Sequence, residues 1–339
     1  MPPLASLVIP TRNRATFLAR TLTSFVQQDT KDFEVIIVDD GGTDTTRDVA
    51  RSFESEIDIR YVRRAHSGRS MSRNAAIRAS TGKLLILCDD DRVAHPSYVS
   101  DHLAAHAGST PRVVGGRQRA LFAEWGPQIA YTAGDVARFV AKHPDLVGKL
   151  AEPCEIVSCQ MLRDDLAGTL DRFGIDELWW ETFAHPVIEA YGTDLAEFRF
   201  PWTMGVGGNT SVPRDLADAV GLHDEKFTGW GLEDTEFHYR LHVAGAITIM
   251  ADRALNYHQV HDRGPERSQE WAINAVRFLA KHDSLDAYLY IATCRRSLTL
   301  GHANQILIER DAIGDAAPGL IAELVRMHKE QFRLVIGAV

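Results

Sequence analysis

Three consecutive carboxylates, Asp89, Asp90 and Asp91, follow directly on an apolar run in the sequence. Like charges held ~4–6 Å apart raise one another's pKa, so such a cluster is stable only when a counter-charge neutralises it. Mg²⁺ and Mn²⁺ prefer carboxylate and phosphate oxygens and would supply that charge. If the triplet continues a strand, alternation places Asp89 and Asp91 on one face and turns Asp90 away. A solvated acidic turn is the alternative interpretation.

A second candidate for chemistry is the segment 229–236, which reads GWGLEDTE. Its two glycines allow close backbone approach and leave Trp230 as an exposed aromatic platform. Glu233 and Asp234 then stand at the predicted start of a helix. A carboxylate at this point can act as a general base by accepting a proton from an attacking hydroxyl. Acids placed only to complement the helix dipole are the alternative.

Two histidines, His258 and His261, follow a short strand predicted at residues 247–250. Neutral imidazole can complete the coordination of a divalent metal. The sequence leaves open which histidine does so. Strand-like alternation would direct His258 and Val260 to one side and His261 to the other.

The elements that must position these residues are predicted by an alternation of apolar runs and helical spacing in the first 91 residues. The predicted strands are 6–9, 33–38, 57–62 and 83–88, and the helices between them are 16–28, 43 or 44 to 53, and 70–79. This order predicts a parallel, doubly wound α/β sheet. Because ligands bind beyond the carboxyl ends of such strands, Thr11, Asp39 and the acidic triplet should meet at one edge.

The rest of the chain is less regular. Residues 117–204 show no clear period, 205–209 predict a flexible turn, and helices are predicted from about 214, over 233–244 and beyond 268. These patterns predict a domain over residues 1–265, divided into a nucleotide-binding half (1–116) and an acceptor and catalytic half (117–265). A helical C-terminal extension over 266–339 follows, and it could serve for homodimerisation.

Composition excludes several classes. A formal net charge of −9 disfavours nucleic-acid binding, because that binding depends on Lys and Arg neutralising phosphates, but it permits a local basic pocket. The four cysteines form no CxxC pair, which argues against a zinc site or a disulfide framework. We expect no signal peptide and no membrane span, since no apolar run approaches ~20 residues, and therefore a cytoplasmic protein.

Five separated motifs resemble, in order, those of the family 2 glycosyltransferases. They are VIPTRNR (8–14), VIIVDDGGTDTT (35–46), GRSMSRNAAIRASTGKLLILCDDD (68–91), VGGNTSVPR (206–214) and GWGLEDTEFHYRL (229–241). The resemblance implies a GT-A-type, mostly parallel sheet flanked by helices. It also implies inverting transfer of a hexose or N-acetylhexosamine from a nucleotide sugar, with UDP favoured and Mn²⁺ or Mg²⁺ on the diphosphate. The acceptor would be a hydroxyl of a saccharide, a lipid-linked sugar or a small molecule.

The resemblance also implies a role for each matching residue. The donor would be bound by Pro10, Thr11, Arg12, Asp39, Asp40, Arg73, Asp89 and Asp90. The metal would be bound by Asp91 with His258 or His261. The sugar and the acceptor would be bound by Gly208, Asn209, Trp230 and Gly231. Asp234 would be the general base, and Glu233 would hold a sugar. One departure is the turn Gly41-Gly42-Thr43, where the family has aspartate, glycine and serine.

Three other functions compete with this interpretation. A sugar-1-phosphate nucleotidyltransferase should carry a glycine-rich loop after the first strand, and residues 11–14 lack those glycines. A dinucleotide-dependent oxidoreductase should carry GxGxxG there, which is also missing. A nucleotide-sugar-binding scaffold without turnover should lack part of the acidic triplet or the predicted general base, Asp234. The sequence contains both.

Overall fold

A curled central sheet with helices on both faces organises the chain. The computed structural model describes residues 3–330 except 109, 128, 130, 206, 262–266, 315–316, 321, 324 and 328–329. The strands are β1 (Ala5–Thr11), β2 (Phe33–Asp40), β3 (Ile59–Arg64), β4 (Leu84–Leu87), β5 (Arg92–Ala94), β6 (Arg112–Leu121), β7 (Glu124–Trp125), β8 (Cys154–Glu155), β9 (Gly174–Asp176), β10 (Thr210–Pro213) and β11 (Ile247–Gln259). The sheet order is β3-β2-β1-β4-β10-β6-β11-β5, with β9 beside β6 and with β7 and β8 forming a separate pair.

Helices cover both faces of this sheet. They are α1 (Ala15–Val26), α2 (Thr46–Ser52), α3 (Arg69–Ala79), α4 (Tyr98–Ala105), α5 (Ala133–Lys142), α6 (Cys159–Asp164), α7 (Leu166–Phe173), α8 (His185–Tyr191), α9 (Arg214–Ala219), α10 (Glu233–Val243), α11 (Arg267–Lys281), α12 (Leu285–Cys294) and α13 (Leu300–Gly314). Short 3₁₀ and π turns connect some of them, including Trp180–Ala184 and Pro201–Met204.

The N-terminal half confirms the predicted doubly wound arrangement. β1 pairs in parallel with both β2 and β4, and β2 pairs in parallel with β3. Alternate side chains of β1 enter two different cores: Leu7 and Ile9 pack towards α1, while Val8 packs towards α3. Strands buried on both faces read as continuous apolar runs, which is why the sequence predicts them well.

The parallel run ends at β4, and the other half of the sheet is mixed. β10 is antiparallel to both β4 and β6, β11 is parallel to β6, and β5 is antiparallel to β11. Of the turn predicted at 205–209, residue 206 lies outside the described residues, and residues 207–209 lead directly into β10. The reversal brings Gly208, the acidic triplet and the end of β11 to one edge of the sheet.

The C-terminal helices belong to a core that includes the irregular middle of the chain. Phe278, Leu289 and Leu307 from α11, α12 and α13 pack around Trp202, which is fully buried. The helical character predicted beyond residue 268 is thus confirmed in α11–α13. Within the described ranges, no helix is both long enough and apolar enough to cross a membrane.

Candidate active site

The end of β2 supplies two buried carboxylates with different surroundings. Asp39 Oδ1 accepts a hydrogen bond from the Gly42 backbone N–H at 2.7 Å, and its Oδ2 accepts one from the Tyr61 hydroxyl. Burial and the contact with Asp39 raise the pKa of Tyr61 above its usual value. Asp39 therefore fixes the 41–43 turn beside the end of β1, where the nucleotide base was predicted.

The Asp40 carboxylate holds the loop that leads into α3. Oδ1 accepts from the backbone N–H and the hydroxyl of Ser67, and Oδ2 accepts from the Gly68 N–H and His66 Nδ1, all at 2.8–2.9 Å. Burial opposes ionisation, but these hydrogen bonds prevail and lower the pKa of Asp40. Both carboxylate oxygens are engaged with the loop, and the predicted contact of Asp40 with the donor stays a prediction.

Arginines border the same edge. Arg12, Arg63 and Arg69 are exposed there, and we call them the basic edge. Arg12 Nη1 lies 3.1 Å from His66 Nε2, and Arg63 Nη2 donates to the Gly42 carbonyl at 3.1 Å. Of the three, sequence analysis selected only Arg12. These three exposed arginines are candidates for the local basic site that the net charge left open.

The acidic triplet lies in a turn, because β4 ends at Leu87. Strand alternation therefore does not apply, and the expected pairing of Asp89 with Asp91 on one face does not hold. Asp89 Oδ1 accepts from Arg73 at 2.8 Å. Asp90 and Asp91 instead both lie near Arg14. Burial and the neighbouring Asp91 raise the pKa of Asp90, against the effect of Arg14.

Asp91 forms a cluster with both candidate histidines. One ligand atom from each of Asp91, His258 and His261 lies within 4.8 Å of the others. Asp91 Oδ2 is 2.9 Å from His261 Nε2 and 3.8 Å from His258 Nε2. The alternation that would place His258 and His261 on opposite sides does not apply, because β11 ends at Gln259 and His261 lies beyond the strand. Nitrogen and oxygen ligands together suit Mn²⁺ better than Mg²⁺, which prefers oxygen alone.

A carboxylate from the unassigned middle region orients one of these histidines. His258 Nδ1 lies 2.9 Å from Glu177 Oε1, so the Nδ1–H donates to the carboxylate and Nε2 faces Asp91. This arrangement of carboxylate, imidazole and metal is common in metal sites, where the outer carboxylate fixes the ring and its tautomer. Asp91 Oδ1 is buried and makes no hydrogen bond, lying 3.4 Å from Arg92 Nε. These features fit a divalent cation.

Arg14 places a guanidinium among the same atoms. Its Nη1 is 2.9 Å from Asp91 Oδ2, 2.9 Å from His261 Nε2 and 3.7 Å from Asp90 Oδ1. Burial lowers the pKa of Arg14, but the three aspartates outweigh burial and raise it. Arg14 lies within the motif VIPTRNR, but the sequence predicts no role for it, since a lone arginine carries no local pattern.

A second cluster connects Asp234, the predicted general base, through Arg73 to Asp89, a predicted donor-binding residue. This arginine is 1% exposed. Its Nη1 donates to Asp234 Oδ1 at 2.8 Å and lies 3.5 Å from Glu233 Oε1. Its Nη2 donates to Asp89. His223 Nε2 lies 3.1 Å from the same Asp234 oxygen. His223 is another residue that the sequence did not indicate.

The two adjacent acids respond to these neighbours in opposite ways. Burial raises the pKa of Glu233, and the adjacent Asp234 charge adds to that effect. Burial also disfavours ionised Asp234, but Arg73 and His223 prevail and lower its pKa. The pKa of Asp234 is thus shifted in the opposite direction from that of Glu233, and the Asp234 side chain remains 18% exposed.

The glycines before β10 give the charged groups room. A Cβ on Gly207 would lie 2.1 Å from Asp234 Oδ2, and one on Gly208 would lie 2.7 Å from Arg92 Nε. Asn209, by contrast, is fully buried: Oδ1 lies 2.9 Å from His102 Nε2, and Nδ2 donates to two backbone carbonyls. Its amide supports the fold, and only its backbone can shape the predicted sugar pocket.

Trp230 is half-buried beside the start of α11. The Arg267 guanidinium carbon lies 3.7 Å from the centre of its ring. The guanidinium covers one face of the ring, and the sugar stacking predicted for Trp230 stays a prediction. Gly231 adopts a φ of +101°, and its N–H donates to Glu233 Oε2 at 2.7 Å.

Comparison with known proteins gives two family matches. Residues 6–170 match the model described as glycosyl transferase family 2, and residues 190–261 match the N-terminal domain of galactosyltransferase. Validoxylamine A glucosyltransferase of Streptomyces hygroscopicus subsp. jinggangensis is 35% identical over 87% of this chain. The chain spans 65% of that protein, which is less than two thirds. Chondroitin synthase of Escherichia coli is 29% identical over 75% of the chain, which spans 34% of that protein.

Solved structures share the fold at low identity. The mannosyltransferase PcManGT from Pyrobaculum calidifontis, in complex with GDP-Man and Mn²⁺, aligns with a TM-score of 0.50, 15% identity, 99% of this chain and 84% of its own. TarS from S. aureus in complex with UDP-GlcNAc aligns with a TM-score of 0.50, 17% identity, 82% of this chain and 67% of its own.

Proposed function

Because the chain belongs to glycosyl transferase family 2, we propose that it transfers a sugar from a UDP-sugar to a hydroxyl, with inversion at the anomeric carbon. The observation that carries the proposal is the Arg73 network, which joins Asp89 at the donor edge to Asp234 at the start of α10. A donor and an acceptor bound on either side of Arg73 would meet at these two carboxylates.

Asp234 would take the proton from the acceptor hydroxyl. Arg73 and His223 favour its carboxylate form by lowering its pKa, and its side chain is partly exposed, as a general base requires. Arg73 and His223 hold its carboxylate in place, although the ion pair with Arg73 reduces its basicity. Direct displacement on the opposite side of the sugar ring needs no covalent intermediate, so no further nucleophile is required.

Asp91, His258 and His261 would hold a divalent cation, with Mn²⁺ favoured by the mixed ligand set. When bound, the cation would supply Lewis-acid stabilisation of the diphosphate leaving group. Glu177 would orient His258, and Arg12, Arg63 and Arg69 would face the negative charge of the donor.

The relatives suggest the substrates. The validoxylamine A glucosyltransferase supports glucose as the transferred sugar and a small hydroxylated molecule as the acceptor. The match to chondroitin synthase keeps a saccharide acceptor as the second candidate. Hexosamine donors and lipid-linked acceptors, which the sequence also allowed, have less support.

A thermal-shift panel tests the donor site directly. UDP, dTDP, GDP and ADP are each added with Mn²⁺ and with a chelator, to the native protein and to an Asp91→Ala variant. A ligand that binds only the folded state raises Tm by mass action. We expect a Tm increase with UDP and Mn²⁺ that is lost in the chelator and in the variant.

Turnover then completes the test. UDP-glucose should be consumed by the native protein with Mn²⁺, slowly with water as the acceptor and faster with a suitable sugar alcohol. If no nucleotide shifts Tm, the donor site is refuted. If UDP binds but UDP-glucose and UDP-GlcNAc both persist with every acceptor, the chain is a nucleotide-sugar-binding scaffold instead.

A further inference from the structure

Helix α11 holds the loop that carries Trp230, although α11 lies beyond both family matches, the second of which ends at residue 261. Glu270 Oε2 accepts a hydrogen bond from the Trp230 backbone N–H at 2.8 Å. Asn274 Nδ2 donates to the carbonyl oxygens of Gly231 at 2.8 Å and Thr228 at 3.1 Å. Two side chains one helical turn apart thus fix three backbone groups of the 228–231 loop.

Packing reinforces these hydrogen bonds. A Cβ on Gly229 would lie 2.7 Å from Glu270 Cδ, and one on Gly231 would lie 2.8 Å from Trp271 Cδ1. The loop therefore lies directly on α11. Asn274 is fully buried, so its amide has no access to water as an alternative partner.

The backbone of this loop needs such support. Leu232, the residue before α10, has a φ of +66°, in the left-handed region that costs a residue with a side chain roughly 1–2 kcal/mol. Conformations of this kind persist when their surroundings over-determine them. The next two residues are Glu233 and Asp234, so the position of the proposed base depends directly on this turn.

We infer that Glu270 and Asn274 are positioning residues for the Glu233–Asp234 pair, acting through the backbone of the 228–231 loop. This inference rests on the proposed function, since Asp234 matters only if sugar transfer occurs. The nucleotide-binding edge formed by β1, β2 and β4 lies on other elements. Loss of either positioning residue should therefore affect the chemical step more than donor binding.

The test uses Glu270→Ala and Asn274→Ala in the full chain, with Glu270→Gln as the conservative variant and the exposed Gln269→Ala as the matched control on α11. Hydrogen exchange of the 228–233 amides measures the loop itself, independently of activity. Calorimetry measures UDP binding with Mn²⁺, and UDP-glucose hydrolysis measures kcat and KM.

We expect faster exchange at 228–233 and a loss of up to about 100-fold in kcat for both alanine variants, since small misplacements at a reacting centre cost about this much. UDP affinity and KM should change little. Glu270→Gln keeps an acceptor oxygen for the Trp230 N–H and should restore slow exchange and most of kcat. Gln269→Ala should match the native protein.

Unchanged loop exchange in a folded Glu270→Ala variant would refute the inference, whatever the activity. Equal losses of UDP affinity and kcat would also refute it, because they indicate general destabilisation. If native protein neither binds UDP nor hydrolyses UDP-glucose, the proposed function fails, and the exchange data still decide whether α11 fixes the loop.

Discussion

The candidate site residues could be predicted from the sequence where several polar residues lie close together along the chain. The acidic triplet, the Glu233–Asp234 pair and the two histidines were all recognised, and the structure brings Asp91, His258 and His261 together. Arg14 and Glu177 were not recognised. Each is a single residue whose partners are far away in sequence, and no local pattern marks such a contact.

Substitution of Asp234, the proposed general base, should reduce the rate of sugar transfer without affecting the binding of UDP. Asp234→Asn keeps an oxygen that can accept from Arg73, so the network survives while the proton acceptor is lost. We expect kcat to fall by about 10²–10⁴-fold, with UDP affinity within about threefold of native. Single-turnover kinetics and calorimetry measure the two quantities. Near-normal turnover would remove Asp234 from the mechanism.

Glu177 should tune the affinity for metal without being a ligand. In Glu177→Ala, His258 loses the acceptor that fixes its ring, and we expect Mn²⁺ affinity in the presence of UDP to fall about 10–100-fold. Calorimetric titration with Mn²⁺ checks this. The exposed Glu181→Ala is the control. Unchanged Mn²⁺ affinity in Glu177→Ala, with loss of binding in Asp91→Ala, would contradict the role.

At the scale of elements, sequence patterns succeeded for buried strands and failed for irregular ones. β6 was missed because Gly115 and Gly116 interrupt its apolar run, and paired glycines usually indicate a turn. The structure requires a glycine there, since a Cβ on Gly116 would lie 2.2 Å from the Ala254 carbonyl oxygen. β11 was predicted to end at Met250, but it continues through a register shift to Gln259.

The contact between α10 and α11 should make stability depend on acidic pH. Burial opposes ionisation of Glu236, but hydrogen bonds from His282, Arg240 and Lys281 lower its pKa to about 2, from 4.5. Such a depressed pKa stabilises the fold fully above pH 4.5, and this contribution is lost as pH falls through the folded-state pKa. A shift of this size corresponds to about 3 kcal/mol.

Glu236→Gln should therefore be less stable than the native protein by up to about 3 kcal/mol at pH 7. The difference in the free energy of unfolding should narrow as pH falls below 4.5. Urea denaturation from pH 7 to pH 3.5 measures it. The exposed Glu309→Gln provides a matched control. A difference that stays constant across this range would show that Glu236 acts through packing rather than through its charge.

Residues on both sides of the predicted division at residue 265 pack together, and the division itself stays a prediction. Helices α11–α13 share one core with residues 180–204 and with Leu232 and Tyr239 around α10. The catalytic and C-terminal regions therefore stabilise each other, and we propose that they fold together. Dimerisation through the C-terminal region stays a prediction.

Removal of residues 267–339 should prevent folding rather than yield a smaller enzyme. It deletes buried side chains including Phe278, Leu289 and Leu307, each contributing roughly 1.5–3 kcal/mol, and it exposes Trp202. A total stability of about 5–15 kcal/mol does not survive such a loss. Circular dichroism and size-exclusion chromatography measure the outcome. The exposed Ile273→Ala should behave as native, and a monomeric, folded truncation would disprove the shared core.

The basic edge bears on how quickly the proposed donor would arrive. On a chain of net charge −9, an anionic nucleotide sugar approaches against long-range repulsion. We propose that Arg12, Arg63 and Arg69, which are exposed over one edge of the sheet, attract an anionic donor locally against that overall repulsion. Salt at 0.1 M screens both the overall repulsion and the local attraction over about 10 Å. The encounter rate then reflects local orientation more than overall charge, and an acidic protein can capture an acidic ligand efficiently.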